Sequence, residues 1–445
     1  MKSDTPLRVV VLGGGFGGLA FCKELDDPRF ALTLIDRQNH HLFQPLLYQV
    51  ATGGLSAPEI AHPIRSILRK QKNVTVLMEE VRSLDLTQRC VRLEGRDLAY
   101  DYLIIALGAR TGYFGHDEWE QHAPGLKTLD DAQCIRSDAL GCYERAESLN
   151  DPREREALLT SVVVGGGPTG VEMAGALAEL SKKVLARDFR RIKTEEAKVI
   201  LIEAGPRLLT AFDPSLSDYG RKKLERMGVI VKLNTPVQNI TAGEVTAGGA
   251  VIRAATIVWA AGVEASPVTR SLGVPLDRGG RIQVRPDLSL PGHDNVFAVG
   301  DIAVLTDAKG QRVPGVCPAA MQMGRHVARI LHHELRHAEK YHVALPRPAF
   351  AYFDKGNMAT IGRNAAVAET SYMKARGFAA WLMWLFIHLL FLVGFRNRLF
   401  VFMQWIYSYF TWQRGARIIM RNDENRMTKT ADTERDEDRG QRQTR

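Results

Sequence analysis

At 445 residues the chain is too long for one ordinary domain, and two or three compact units are expected. A composition that is 45% hydrophobic and 24% charged excludes the collagen-like and wholly disordered classes. The net charge of +9 comes without a basic repeat or nucleic-acid motif, so no nucleic acid partner is expected, and an anionic lipid surface or anionic substrate remains.

The first predicted element is a strand over Arg8–Leu12, an apolar β-branched run that stops at glycine. A glycine cluster, a helix over Leu19–Leu25 and a strand over Leu32–Ile35 ending in Asp36 complete a β-α-β unit. The pattern recurs with a strand at Ser161–Val164, glycines, a helix from about Val171 to Leu185, and a strand at Val199–Ile202 ending in Glu203. This internal repeat predicts two similar domains. Three further strand-like runs end at Gly108, Gly262 and Asp301, and an amphipathic helix follows from Cys317 to His337. Phe378–Phe395 is almost unbroken apolar sequence interrupted by His388, and Leu399–Trp412 is aromatic and apolar again. The expected class is α/β: two Rossmann-like dinucleotide-binding domains and a C-terminal amphipathic helical element. The boundaries read 1–118 and 266–345 for one domain, 119–265 for the other, 346–420 for the C-terminal region, and 421–445 for a solvated, disordered tail.

Gly13, Gly15 and Gly18 occupy the defining places of G-x-G-x-x-G. In that pattern the first glycine makes the turn, the second admits the pyrophosphate, and the third lets helix pack on strand. The helix start then offers free amides to phosphate, and Asp36 is placed to accept the ribose hydroxyls. Gly165, Gly167, Pro168, Thr169 and Gly170 repeat the motif, with Glu203 as the acid. An acid there favours the free 2′-hydroxyl of NADH over NADPH, although Arg207 nearby could soften the preference. The alternative, a glycine-rich turn in an unrelated α/β fold, does not explain the strand, helix and acid around each motif.

The five cysteines (Cys22, Cys90, Cys134, Cys142, Cys317) are scattered, with no Cys-x-x-Cys and no metal-ligand spacing, so neither a disulfide scaffold nor a metal site is expected. The first residues run into the first strand without a signal or transit segment, which predicts a cytoplasmic location in a bacterium.

The first glycine motif together with Gly300-Asp301 resembles the flavin site of the two-dinucleotide-binding-domain flavoproteins. That resemblance assigns FAD to the first motif and its ribityl chain to Asp301; the bland alternative is a turn cap. It implies a flavin set of Gly13, Gly15, Phe16, Gly17, Gly18, Asp36, Arg37, Pro45, Ala106, Gly108, Gly300 and Asp301, and adds Gly262 to the NADH set. The run His41–Ala51 (HLFQPLLYQVA), with Gly165–Glu172 and the hydrophobic C-terminus, resembles the type II NADH:quinone oxidoreductases from Val9 to about Ile419. Disulfide reductases, coenzyme A-disulfide reductases and NADH oxidases place cysteine where this run has none. The resemblance implies hydride transfer from NADH to FAD and two electrons onward to a membrane quinone, without proton pumping. Sulfide or ferredoxin oxidation on the same scaffold, or a redox-sensing flavoprotein, are the rivals. It places Glu172 at the nicotinamide–flavin junction, whereas a dipole-stabilised acid is the simpler reading. Gln322 matches a family glutamine near the quinone, Pro318 stands where another glutamine is usual, and Tyr48 and Lys355 complete the quinone set; Lys355 also reads as a surface lysine.

Eighteen near-apolar residues from Phe378 reach the lower limit for a span of ~17–25. The aromatics and flanking arginines favour two helices lying in one leaflet through residues 378–417, hinged at Arg396–Arg398 and held at the headgroups by Lys374, Arg376, Arg414 and Arg417. A full span and a homodimer interface are the alternatives. The expected place is the cytoplasmic face of the bacterial inner membrane, as a peripheral monotopic protein.

Overall fold

The structure, a computed structural model, describes residues 5–307, 310–341 and 346–420, so the expected tail 421–445 lies outside the described residues. In chain order the elements that position the site begin with β1 (Leu7–Leu12), α1 (Phe16–Glu24), β2 (Phe30–Asp36), α2 (Leu47–Ala51), β3 (Val74–Met78), β4 (Tyr102–Ile105) and β5 (Ala109–Thr111). Then come α3 (Leu129–Ser148), β6 (Thr160–Val164), α4 (Pro168–Glu179), β7 (Lys198–Ile202), α5 (Pro214–Arg226), β8 (Val229–Lys232), β9 (Thr256–Trp259) and β10 (Val263–Ala265). The chain closes with β11 (Ser289–Leu290), β12 (His293–Ala298), α6 (Cys317–Tyr341), β13 (Asn357–Thr360), β14 (Ala366–Glu369), β15 (Lys374–Gly377), α7 (Phe378–Phe391) and α8 (Phe395–Thr411).

The first sheet has the order β11-β12-β4-β1-β2-β3. β1 lies parallel to β2 and β4, with Val9 opposite Leu32 and Tyr102, and Val9–Leu12 are buried on both faces, which explains their unbroken apolar run. α1 and α6 cross closely on one face, because a Cβ on Gly324 would sit 2.2 Å from the Gly17 carbonyl oxygen. The second sheet is all parallel, β8-β7-β6-β9, with Ser161 opposite Val199 and Thr256. The chain leaves the first sheet after β4, builds the second, and returns through β12 to pair with β4. An antiparallel ribbon, β5 with β10, joins the two.

Three expectations shift. The helix expected from Leu19 starts at Phe16, because its first-turn glycines belong to the helix as well as to the turn. The helix expected to reach Leu185 ends at Glu179 and widens into a π-helical turn over Leu180–Val184, where Ser181 Oγ donates to the Ala178 carbonyl (3.2 Å). The hinge in the apolar end is not at Arg396–Arg398. The chain bends at 392–394, where Leu392 is extended and Gly394 has φ +88°, and both arginines lie in the first turns of α8. Arg398 Nε donates to the Leu392 carbonyl (2.8 Å) and caps the end of α7.

β13–β15 form an antiparallel sheet under this helical hairpin. Ala380, Trp384, Leu392 and Val401 are buried in one cluster with residues of α2 and α4, while Phe386, Leu390, Phe395, Phe400, Phe402 and Phe410 are exposed. Among the described residues no helix is long and apolar enough to cross a membrane.

Candidate active site

The two glycine turns have matching geometry. Gly13 has φ +101° and Gly165 φ +111°, values that strain any side-chain-bearing residue. A Cβ on Gly18 would lie 2.0 Å from the Gly13 carbonyl oxygen, and one on Gly170 would lie 1.8 Å from that of Gly165. Nothing lies within 4 Å of a Cβ built on Gly15 or Gly167, and these N-cap residues carry no side-chain cap. Each turn thus leaves the first amides of a helix facing open space, which fits a pyrophosphate.

The two acids are held alike. Asp36 accepts from the amides of Gly14 (2.6 Å) and Gln38 (2.7 Å), and Glu203 from those of Gly166 (2.6 Å) and Gly205 (2.7 Å). Each carboxylate is fixed at the edge of its cradle with lone pairs left for ribose hydroxyls. Arg207 donates to the carbonyls of Phe212 (2.8 Å) and Thr210 (2.9 Å), so its guanidinium is occupied by its own loop.

Around the first turn the structure gathers most of the flavin set at the carboxyl edge of the first sheet. The Ala106 carbonyl oxygen lies 2.4 Å from where a Gly13 Cβ would be, and Gly17 faces Val299 and Ala320. Gly108 and Gly300 have φ +67° and +79°, and half-buried Asp301 faces Gly315. Phe16 meets the rings of His41 (4.8 Å) and Phe43 (6.0 Å), with Pro45 in the short turn that follows. His41 is buried; its Nδ1 donates to the Gly14 carbonyl (3.0 Å), and burial pushes the imidazole down to about 4, so it is neutral. Arg37 is exposed beyond Asp36. On the second sheet, Pro168 and Thr169 open α4, and Gly262 lies at the end of the run that packs against Gly165.

Glu172 is where the parts of the chain meet. It projects from the second turn of α4 and is buried, and its Oε1 accepts from the Thr360 amide of β13 (3.2 Å). Burial pushes its carboxyl up to about 8, only partly opposed by the Thr360 bond, so it holds a proton at neutral pH. Tyr48 of α2 is hydrogen-bonded to Thr360 Oγ1 (3.1 Å) and receives Gln49 Nε2 (3.0 Å); burial raises its phenol, and the Glu172 charge adds to this. Trp405 Nε1 of α8 donates to Gln49 Oε1 (2.9 Å). From α7 comes Trp384, whose buried indole N–H faces Glu172 and joins the Thr360 amide in opposing the rise of its carboxyl, although it makes no hydrogen bond of ordinary geometry.

The expected quinone set divides. Tyr48 belongs to the Glu172 cluster, whereas Gln322 donates to the Phe353 carbonyl (2.9 Å) and accepts from the Phe353 amide (3.0 Å). Both amide functions therefore tie α6 to the segment that carries Lys355, whose Nζ lies 5.2 Å over the Phe391 ring. Pro318 sits in the first turn of α6. The two groups face the same hairpin helix two turns apart, at Trp384 and Phe391, about 10 Å by helix rise. Between them His388 stacks on Trp384 (4.0 Å) and meets Phe43 (6.2 Å). Its Nδ1 donates to the Trp384 carbonyl (2.8 Å), and burial pushes it down to about 4. Thr360 was not singled out from the sequence, His388 was noted only as an interruption of the apolar run, and Trp384 was read with the aromatics of a membrane interface, whereas it is buried; a lone histidine in an apolar run is the signal that could have given His388 its place.

Of the basic residues expected at lipid headgroups, Arg414 is buried, while Lys374 and Arg376 stay exposed although each has a partner within the protein. Arg414 donates to the Thr52 carbonyl (3.0 Å) and to Glu179 at the end of α4 (3.0 Å). Glu179 also accepts from the Arg363 amide, and Arg363 donates to the carbonyls of Tyr409 and Ser408 and stacks on Trp412 (3.5 Å). Arg417 pairs with Asp188, Lys374 with Asp213, and Arg376 lies over Tyr219. Acids of the unit built on the second sheet take the charges of Arg414, Arg417 and Lys374, which fasten the C-terminal region to it.

Residues 7–324 match the pyridine nucleotide-disulphide oxidoreductase family, and residues 355–412 match the NDH2 C-terminal domain. The chain is 44% identical over 421 residues to the type II NADH:quinone oxidoreductase Ndh of Mycobacterium tuberculosis, covering 92% of this chain and 89% of that protein. It is 30% identical over 408 residues to a probable NADH dehydrogenase of Dictyostelium discoideum, covering 90% and 88%. Its fold is similar to that of NDH2 from Plasmodium falciparum, solved in complex with NADH, with a TM-score of 0.85 at 21% identity over 93% of this chain and all of that one.

Proposed function

The chain belongs to the type II NADH:quinone oxidoreductase family, and from that premise we propose that it oxidises NADH through FAD and reduces a membrane quinone. The observation that carries this reading is the convergence on buried Glu172 of the second glycine helix, α2 from the flavin side, and Trp384 of the apolar hairpin. In this reading those three elements border the nicotinamide, the flavin and the quinone in turn.

Residues 1–118 and 266–345 hold FAD, on the Gly13–Gly18 cradle with Asp36 at the adenosine ribose and Gly300-Asp301 at the other end. Residues 119–265 hold NADH on the Gly165–Gly170 cradle, with Glu203 on the 2′-hydroxyl and Arg207 turned away from it. Bound FAD supplies the acceptor for the NADH hydride and the donor of two electrons to quinone. Glu172, protonated at neutral pH and shielded from water, holds a proton at the junction and presents no buried negative charge to electrons arriving there. The rings of Phe43, His388 and Trp384 pack between the flavin cradle and the hairpin, and Lys355 and Gln322, toward the other end of α7, are the polar groups nearest the quinone.

The exposed apolar side of α7 and α8 lies on a lipid bilayer at the cytoplasmic face of the inner membrane, and a homodimer through the same side is the competing use. Phe395 is 81% and Phe410 78% exposed, a cost in water that lipid removes.

NADH should bleach the flavin spectrum of the protein purified from membranes, and a short-chain quinone should restore it. No bleaching would refute the reading, and bleaching without reoxidation by quinone would favour a sensor. Replacing Phe386, Phe400 and Phe410 by serine should abolish flotation with anionic vesicles at unchanged melting temperature. Vesicle binding that persists, with loss of a dimer instead, would assign that face to a second copy.

A further inference from the structure

The turn between the two units carries an aromatic side chain in an unusual state. Phe114 has φ +57°, in the left-handed region that bulky residues avoid, and its ring is 74% exposed. Burial therefore does not offset the backbone strain. The residues around it are pinned. Tyr113 is buried with its hydroxyl donating to the Ala123 carbonyl (2.9 Å), and the Gly112 carbonyl accepts from Trp259 Nε1 (3.0 Å). The Gly112 amide in turn bonds the Gly262 carbonyl (3.2 Å). This anchoring leaves Phe114 turned outward over Gly262, where an added Cβ would meet its Cζ at 2.8 Å.

Gly262 marks a particular place. It follows β9, whose trailing residues Ala260 and Ala261 press on the second glycine turn: a Gly165 Cβ would fall 2.6 Å from the Ala260 carbonyl carbon and 2.7 Å from Ala261 Cα. In the order β8-β7-β6-β9 the topology switches between β6 and β9, where open parallel sheets bind their ligand. Glu203 directly follows β7, on one side of β6, so the adenosine half of a dinucleotide lies there. The nicotinamide half then lies on the other side, over β9 and under Phe114.

We propose that Phe114 is a positioning residue that packs its ring on the nicotinamide-riboside half of NADH, held outward for that purpose by the pinned turn. The proposal rests on the NADH site proposed above. The strained ring meets Trp259 edge-on (6.1 Å between centroids), and the complex would cover the surface that this contact leaves exposed at the rim of the crevice.

The experiment uses full-length holoenzyme in which NADH bleaches the flavin; absence of bleaching in the unaltered enzyme would refute the site itself rather than Phe114. Phe114→Leu and Phe114→Gly should each raise the NADH KM about tenfold, with kcat within a factor of two and the quinone KM unchanged. Phe114→Gly, which relieves the positive φ, should melt no lower than the unaltered protein, and Phe114→Tyr should restore the NADH KM. An unchanged NADH KM in the glycine variant would overturn the proposal. So would a KM rise accompanied by a lower melting temperature and an equal rise for quinone, because that pattern marks a structural role.

Discussion

Helices α1 and α4 begin on the same glycine geometry and then diverge. α1 is short, presents Gly17 and Gly18 to its neighbours, and packs against α6 with no acid in its first turn. α4 begins alike but carries Glu172 buried along its length and Glu179 at its end, each bonded to the C-terminal region. The difference separates two tasks. On the proposed reading both helices serve a nucleotide cradle, α1 bracing it against α6, while α4 is also the beam on which the apolar hairpin rests.

The largest test of this contrast is at the cradles. Gly18→Val should yield protein lacking flavin by absorbance. Gly170→Val should retain flavin and lose NADH affinity by about 100-fold or more, the two buried-carbonyl clashes being nearly equal. Flavin loss in the second variant would show that the cradles are not independent.

The beam is tested next by Arg414→Met, which leaves Glu179 short of its buried partner. We expect about 3–5 kcal/mol of lost stability by thermal or urea unfolding, whereas Lys23→Met, at the exposed end of the otherwise buried α1, should change it by less than ~0.5 kcal/mol. Equal losses would erase the distinction between the helices.

The third test is a pH dependence between pH 5 and 8 that Glu172 gives α4. The Glu172 carboxyl is raised to about 8 in the fold, above its ordinary value near ~4.3 in the unfolded chain. Between those values the folded state binds the extra proton, so Glu172 makes stability fall as pH rises, by at most about 1.4 kcal/mol per pH unit, and the effect levels off above about 8. Glu172→Gln should remove that slope and so gain stability relative to the parent at pH 8 but not at pH 5. Parallel melting-temperature curves across that range would show that Glu172 is ionised in the fold.

Both cradles were legible in the sequence because a glycine turn is a local requirement, set by backbone sterics within six residues and flagged by an acid one strand later. The family resemblance likewise ran through a contiguous segment, from His41 to Ala51. The hinge was misread because the basic triplet Arg396–Arg398 looks like a break, whereas the bend is set by Gly394 and capped by Arg398. The internal partners of the basic residues, and the burial of Arg414, were missed for a different reason. Lys374, Arg414 and Arg417 meet acids more than 150 positions away, and no local pattern announces such a partner. Phe114 was overlooked because strain is a property of the backbone; its flanking glycines, Gly112 and Gly115, were the only trace in the sequence.

The pairing of Arg414 with Glu179 also bears on how the protein is made. The two residues are 235 positions apart, so at ~5–20 residues per second Glu179 leaves the ribosome roughly 10–50 s before its partner. Both nucleotide-binding sheets can close in that interval. The apolar hairpin then emerges to a seat already built, with a waiting carboxylate at the end of α4 to receive it. Its most aggregation-prone stretch is thus the part with the shortest wait for a place to dock.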